Sequence, residues 1–599
     1  MKFPHRVTFL FPIFIFIIIL AGRIFLSLNR FIDPDEFAHM HWAYLISVGK
    51  LPYKDIFIYH VPLFQWIMAP IFFLSQSIMT VYLSRLSIFI TLLVLSYLIF
   101  SLTRILTKSV YVAILSTLIF AAFPMTLDKT IDIRPDMLMV VFFLSSLLLI
   151  LKTGNWSNKR LLLTGLLYGL SLLTFPKIIY ALPCLIFLLL TALKLSGQKT
   201  GESLRSIASI RPKQNNSAFI HGLKTVVFCE GGIKSRLSQV VKNFCIFFLG
   251  IVIPVFLFVI YLILNNLAFD AFISIWYNSQ TITKGIAPFS LILALTPWPL
   301  VYVSQGGVSF PWITNTLIWI FSVLGLLITF FKNKKLFFLC MFFLLGGLIF
   351  IYLFPVPYLQ YFVPLSVFVS ILAAYFILWL GNITKLKDIL LIIISASLLV
   401  SFAIQFAPRK NDNNHEQLQV ISDVLKISKP DETFFDMVGS YVFRPDGFFI
   451  CCHHYGEFTD RLKFKVPSLE ESLIRNHTKF LVMDRTALLF WQTPEPDLTF
   501  LKENYVLSSY PKIYLSGIQY TCENSQCMQH DAENKPVSTL NINTFNIIIP
   551  EKYRISTSPP QEKIFIDGKL AKEVITLSAG NHSFSVSPLI SSFKIALDR

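Results

Sequence analysis

Residues 31–62 read FIDPDEFAHMHWAYLISVGKLPYKDIFIYHVP. Asp33, Asp35, Glu36, His39, His41, Asp55 and His60 all fall here, directly after a long apolar run at 7–28. In a chain otherwise this apolar, ionisable groups gather where water or substrate has to be handled. Asp33 followed by Pro34 reads as the start of a short helix, with Asp35 and Glu36 in its first turn. Capping and solvation alone would account for three acids at the end of a span. Their company argues for more. Asp132, Arg134 and Asp136 stand at the mouth of a later apolar run, and Lys177 follows Phe175-Pro176 at the end of another. Carboxylates facing Arg and Lys at one membrane face suit a reaction that deprotonates a nucleophile and stabilises a departing phosphate.

Composition says what surrounds that stretch. Hydrophobic residues make up 55% of the 599 residues, 59 are Phe, and the mean hydropathy is +0.65. Charged residues are 14%, against about 25% in a soluble protein. Many runs approach the roughly 20 apolar residues of a bilayer span. The chain therefore reads as a polytopic α-helical membrane protein with about eleven transmembrane helices. They lie at 7–28, 81–105, 111–125, 137–151, 161–175, 178–193, 244–264, 312–331, 336–354, 360–380 and 390–406. The run at 61–80, broken by Pro62, Gln65 and Pro70, reads as an interfacial or re-entrant helix. The first run is too long for the apolar core of a signal peptide and lacks a small-residue cleavage site, so it is expected to be retained.

The net charge of +17 is explained by basic loops between spans rather than by nucleic-acid binding. With the N-terminus in the cytoplasm, the long polar loop at 194–242 falls on the cytoplasmic side. So do the clusters around Lys108, Lys152, Lys332 and Lys385. Residues 31–62, 127–136 and Lys177 then share the external face. The external loop at 265–311 carries only Asp270 and Lys284 as charges.

From Ala407 no run is long enough to span. Residues 407–536 read as an external α/β module, with a helical period at 417–427 and short buried strands at 434–436 and 480–484. Residues 537–599 read as a small β-sandwich module, with strands at 545–549, 563–566, 573–577 and 583–587 and turns at Asp567-Gly568 and Ala579-Gly580-Asn581. Its segments KIFIDGKL and ITLSAGNHSFSV resemble PEGA-type envelope repeats. Cys184, Cys245 and Cys340 lie in apolar runs and are expected to pack as small hydrophobes. Neither Cys451-Cys452 nor Cys522/Cys527 has the further partners of a zinc site. A Cys522–Cys527 disulfide is open if that region lies outside the cytoplasm.

The pattern DPDEFAH…AYLISVGKLPYKDIFIYHVPLFQWIMAPIF, an RPD entering a span, FPKIIYALP and YLQYFVPL together resemble the GT-C glycosyltransferases. The likeness is to their family 39 type, the protein O-mannosyltransferase and aminoarabinose-transferase branch, and it covers 1–406. It implies inverting transfer of a sugar from a polyprenyl-phosphate donor to a protein or envelope-lipid acceptor on the external face. It also implies a multi-pass protein of the plasma (inner) membrane. By this resemblance Asp35 is the general base, Glu36 positions the acceptor or assists, and Asp33 is the competing base. Asp136 orients the loop beside Arg134, and Lys177 meets the donor phosphate, with Arg134 and Lys284 as alternates. Gln360 and Tyr361 contact lipid or sugar, while Asp55 and His60 complete the substrate side of the loop. The chain departs from the pattern in lacking an Arg doublet for phosphate. No cofactor is required; a divalent ion on Glu36, His39, His41 and His60 is an alternative, although no HExxH arrangement exists. The competing function is a transporter or flippase of lipid-linked substrate. The position of the acids at span ends rather than the midplane weighs against it.

Overall fold

The structure, a computed structural model, describes residues 5–152, 157–191, 218–278, 310–353, 359–452, 467–483, 493, 495–537 and 543–599, with backbone alone for 5–7, 218–237 and 277–278. Lys284 and most of the loop at 265–311 lie outside the described residues.

The first apolar run forms α1 (His5–Asn29), and the acidic stretch opens α2 (Pro34–Ser47). The start of α2 is chemically defined. Asp33 accepts a hydrogen bond from the Asp35 N–H (3.0 Å), Glu36 accepts one from the Asp33 N–H (3.0 Å), and Pro34 takes the first turn. The Pro-broken run gives the short α3 (Leu63–Phe72), separate from α4 (Ile78–Thr107). There follow α5 (Val110–Ala121), α6 (Pro135–Leu151), α7 (Asn158–Thr174), α8 (Pro176–Thr191), α9 (Ala218–Leu264) and α10 (Ala268–Phe272). The membrane part closes with α11 (Phe310–Lys332), α12 (Lys334–Leu353), α13 (Phe362–Thr384) and α14 (Lys387–Asn411).

Among the described residues, seven helices are long and apolar enough to cross a membrane, and α3, α5, α6 and α8 are shorter apolar helices. One expectation is corrected. The polar loop expected at 194–242 gives way to helix at Ala218, and α9 runs without interruption into its apolar half. The bundle is built around α13, whose apolar window is 83% buried. α7 and α9 cross closely at glycines. A Cβ on Gly165 would meet the Phe247 carbonyl, and one on Gly250 would meet the Leu162 carbonyl.

The bundle has two chemically different ends. At one, the Asn333 amide donates to the Leu106 carbonyl (2.8 Å) and the Lys387 ammonium lies 3.4 Å from the centre of the Tyr111 ring. At the other, the turns after α1 and α5, the starts of α2, α6 and α8, and the last turn of α14 meet.

The chain beyond α14 is built from α15 (His415–Ile427) and twelve strands among the described residues. β1 (Phe434–Phe435) pairs in parallel with β2 (Phe480–Val482), as the paired apolar dipeptides suggest. β3 (Tyr505–Leu507), β4 (Ile513–Glu523) and β5 (Gln526–His530) follow, then β6 (Thr544–Ile547), β7 (Glu551–Ser558), β8 (Ile564–Ile566) and β9 (Lys569–Leu570). β10 (Val574–Leu577), β11 (Gly580–Val586) and β12 (Ser592–Leu597) complete the chain. An eight-stranded sheet has the path β1-β2-β4-β12-β7-β10, with β3 and β5 also on β4, and a four-stranded sheet has the order β6-β11-β8-β9. Because β12 pairs with both β4 and β7, the larger sheet runs across position 536. The two sheets pack through Tyr520, Phe584 and Phe593, with ring centroids 4.9–5.1 Å apart. Asp567 and Gly568 both have positive φ (49° and 74°) and make the two-residue β8–β9 turn. Cys522 and Cys527 face each other across β4 and β5 and are disulfide-bonded, as are Cys451 and Cys452.

Candidate active site

The charged residues at the second end of the bundle fall into two adjoining sets. The first contains Arg30, Arg85, Lys129 and Arg409 with Asp33, Glu36, Asp128 and Asp132. Glu36 is its joint. It is fully buried and accepts from Arg85 Nη2 (2.7 Å), Arg85 Nε (3.2 Å), Arg30 Nη2 (3.4 Å) and the Ile133 N–H (3.1 Å). It thereby ties the start of α2 to α4 and to the loop before α6. Lys129 bridges Asp33 (3.0 Å) and Asp132 (2.9 Å), and Arg409 donates to both oxygens of Asp128 at 2.7 Å. Burial, the largest single influence, would raise the Asp128 pKa, but Arg409, Arg30 and Lys129 together outweigh it and hold the carboxyl well below its ordinary range. Burial likewise opposes the charge on Lys129, and Asp132 and Asp33 outweigh that, raising its pKa.

The second set is a linear chain, Asp35–Arg134–Asp136–Lys177. The RPD sequence explains its middle. Arg134 is extended at the N-cap of α6, Pro135 begins the helix, and Asp136 sits in the first turn, where the helix dipole favours a carboxylate. Arg134 Nε reaches Asp136 Oδ2 at 3.3 Å and its Nη1 pairs with Asp35. Lys177, in the first turn of α8, pairs with the other Asp136 oxygen. Its ammonium stands 4.5 Å from the Phe175 ring centre and 4.8 Å from that of Tyr361. Asp136 and Lys177 are buried, whereas the Asp35 side chain is 51% exposed.

The remaining sequence candidates fall around these sets. Tyr361 reaches Lys177 from a short turn that also contains Gln360. Asp55 accepts from the Leu51 N–H (2.9 Å) and fixes the turn after α2. His60 is buried with its ring 5.1–6.1 Å from those of Tyr59, Trp42, His39 and Phe175, and burial pushes its imidazole down to about 4. The residues considered for a divalent ion point to different protein partners. His39 pairs with Gln65 (2.8 Å), His41 meets the Val442 carbonyl and Asp446 (2.8 Å each), and Glu36 is occupied as described. Burial works against a charge on His41, and Asp446, the Val442 carbonyl and Asp436 together outweigh it, raising its pKa. Among the described residues, the grouped metal-type ligands are His41, Cys451 and Cys452, of which the two Cys are bonded to each other.

Sequence reasoning missed Arg30, Arg85, Lys129, Asp128 and Arg409. Arg85 carried a readable signal, since an ionisable residue early in an apolar run is a functional or structural flag.

Residues 59–206 match the profile of the dolichyl-phosphate-mannose-protein mannosyltransferase family. A search of curated proteins finds no match. Among solved structures, ArnT from Cupriavidus metallidurans bound to undecaprenyl phosphate aligns with a TM-score of 0.55 at 13% identity, over 84% of this chain and 97% of that one. Its apo state aligns with a TM-score of 0.52 at 12% identity over the same shares, 84% and 97%. The archaeal oligosaccharyltransferase AglB from Archaeoglobus fulgidus, in complex with an inhibitory peptide and a dolichol-phosphate, gives 0.44 at 11% identity, over 87% of this chain and 74% of that one. The chain thus has an ArnT-like fold with helices long and apolar enough to cross a membrane, and its segment 59–206, which includes Asp128–Asp136 and Lys177, is similar to the mannosyltransferase family.

Proposed function

We propose that the protein transfers a sugar from a polyprenyl-phosphate donor to a hydroxyl of a protein or envelope-lipid acceptor, with inversion, on the external face of the inner membrane. The observation that carries this reading is the division of the charged cluster. One set builds the loop; the other leads from the buried Lys177 to the half-exposed Asp35. Glu36 and Asp33 belong to the building set, which favours Asp35 as the base and gives Glu36 a positioning role.

In the reaction the acceptor oxygen attacks the anomeric carbon and Asp35 takes its proton. The bond from that carbon to the phosphate oxygen breaks, and its electron pair stays on the phosphate. Arg134 and Lys177, held by Asp136, supply positive charge for the phosphate as it departs. Arg134 also pairs with Asp35. A donor phosphate that draws on this guanidinium leaves the Asp35 carboxylate readier to accept the proton.

The donor class is supported by the undecaprenyl phosphate bound to ArnT, and a protein acceptor by the description of the matched family. The external placement of the site and the C-terminal domain is supported by the two disulfides, which suit an oxidising compartment. It is supported too by the basic turns at the opposite end of the bundle.

The test is incubation of the purified protein with a panel of polyprenyl-phosphate sugars and membrane extract, followed by mass spectrometry of lipids and proteins. A covalent product is expected. Asp35→Asn should lower its rate by about 10²–10⁴-fold while the protein stays folded and inserted. Wild-type turnover in that variant would remove Asp35 as base, and no product from any donor would remove the transferase reading.

A further inference from the structure

We infer that the segment from Arg409 to Gln417, where the last membrane helix passes into the C-terminal domain, positions the catalytic stretch through Gln417. This rests on the reading of Asp35 as base. α1 ends at Asn29 and α2 begins at Pro34, so the peptide units between them have no helix of their own to bond within. Arg85 takes the carbonyls of Arg30 and Phe31, and the C-terminal chain takes up others. The Phe31 N–H donates to the Asp412 carbonyl (2.8 Å), and the Asn414 N–H donates to the Asn29 carbonyl (3.0 Å). The Asn414 side-chain amide donates to the Leu28 carbonyl (2.8 Å).

The buried Gln417 completes the strip. Its Oε1 accepts from the Ile32 N–H (2.7 Å), and its Nε2 donates to the Ile32 carbonyl (2.9 Å). One primary amide thus satisfies both backbone groups of the residue just before the Asp33 cap, as a neighbouring strand would. Only a side chain with one donor and one acceptor at this reach does so. Arg409 adds its two bonds to Asp128, and the C-terminal domain takes hold of α2 again through His41. The direction of the Asp35 carboxylate is set by this splint, and a displacement of about 1 Å in a reacting group costs on the order of 10²-fold in rate.

The test uses the full-length protein in lipid nanodiscs, with Gln417→Leu, Gln417→Glu and Asp35→Asn side by side. Three quantities are read: kcat and KM with the polyprenyl-phosphate sugar that gives product in the panel, the affinity for undecaprenyl phosphate, and deuterium uptake by the backbone at 28–36. Gln417→Leu should lower kcat by about 10–10²-fold. Its affinity for undecaprenyl phosphate should stay within about twofold while uptake at 28–36 rises and uptake across α13 does not. For Gln417→Glu, kcat relative to wild type at the same pH should recover between about pH 8 and about pH 5, because a protonated carboxyl regains the donor and acceptor of the amide. Unchanged uptake at 28–36 in Gln417→Leu, or a loss of kcat matched by an equal loss of undecaprenyl phosphate affinity, overturns the inference. An inactive Asp35→Asn beside a wild-type Gln417→Leu overturns the inference alone, whereas an active Asp35→Asn overturns the base assignment on which it stands.

Discussion

Arg85 closes the joint at the start of α2 with all three of its guanidinium nitrogens. Besides its two bonds to Glu36, it donates to the carbonyls of Arg30 (2.6 Å) and Phe31 (3.1 Å), and it is almost fully buried. Removing Arg85 leaves the buried Glu36 with only the longer Arg30 contact (3.4 Å) for charge balance, at a cost of up to about 3–5 kcal/mol. Arg85→Met should therefore lower the midpoint of thermal unfolding markedly, as followed by size-exclusion of the detergent-solubilised protein. Adding Glu36→Leu should restore part of the loss, since the poorly balanced carboxylate is gone, but not all. The Ile133 N–H would still lack its acceptor, at about 1–3 kcal/mol. A wild-type midpoint for Arg85→Met would show that Glu36 finds its charge balance elsewhere. At this scale the sequence located the acids but could not rank them. Asp35 and Glu36 are adjacent and look alike in one dimension. Their roles separate only when Arg85, 49 positions after Glu36, and Ile133, 97 after it, arrive on Glu36 and leave Asp35 at the surface.

The elements were more legible than the roles, because hydrophobic length and cap chemistry are local. The apolar runs and the Pro34, Pro135 and Pro176 helix starts lie in the sequence as they lie in the fold. β4 and β12 were missed. Their pairing, Ile518 opposite Ile595, joins positions far apart in the chain, and neither strand carries a tight-turn signal at both ends. A further signal was present and unread: Gly165 and Gly169 are spaced as a small-residue helix-crossing motif. In the fold they face Gly250, Ile251 and Pro254 of α9, where the two backbones touch. Gly165→Ala places a methyl against the Phe247 carbonyl, a backbone atom that cannot swing aside. It should cost about 1–3 kcal/mol by overpacking, read as a lower thermal midpoint and faster proteolysis between α7 and α9. The exposed Leu163 on the same helix, changed to Ala, serves as the control and should leave both readouts within about 0.5 kcal/mol of wild type. Equal effects at the two positions would mean that the crossing tolerates a side chain.

The whole molecule is polarised, and its orientation determines what the site can meet. The turns that contain Lys108, Lys332 and Lys385 are exposed and lie at the ends of α4, α11 and α13. The end opposite them gathers the charged network and continues into the disulfide-bonded domain. The proposed orientation rests on two independent physical preferences: basic loops are retained on the cytoplasmic side, and disulfides persist outside it. Single cysteines at positions 50 and 534, both exposed, should react with a membrane-impermeant maleimide on intact cells or spheroplasts. Cysteines at 108, 332 and 385 should react only after the membrane is opened. Each is placed in a background in which Cys184, Cys229, Cys245 and Cys340 are replaced and the disulfides are kept. The reversed pattern would put Asp35 and both disulfides in the reducing cytoplasm, where a thiol pair is the expected state of Cys522 and Cys527. It would then be the external acceptor, not the ArnT-like fold, that has to be given up. The fold fixes which groups share an end of the bundle, while the loop charges and the disulfides are the arguments for which side of the membrane that end faces.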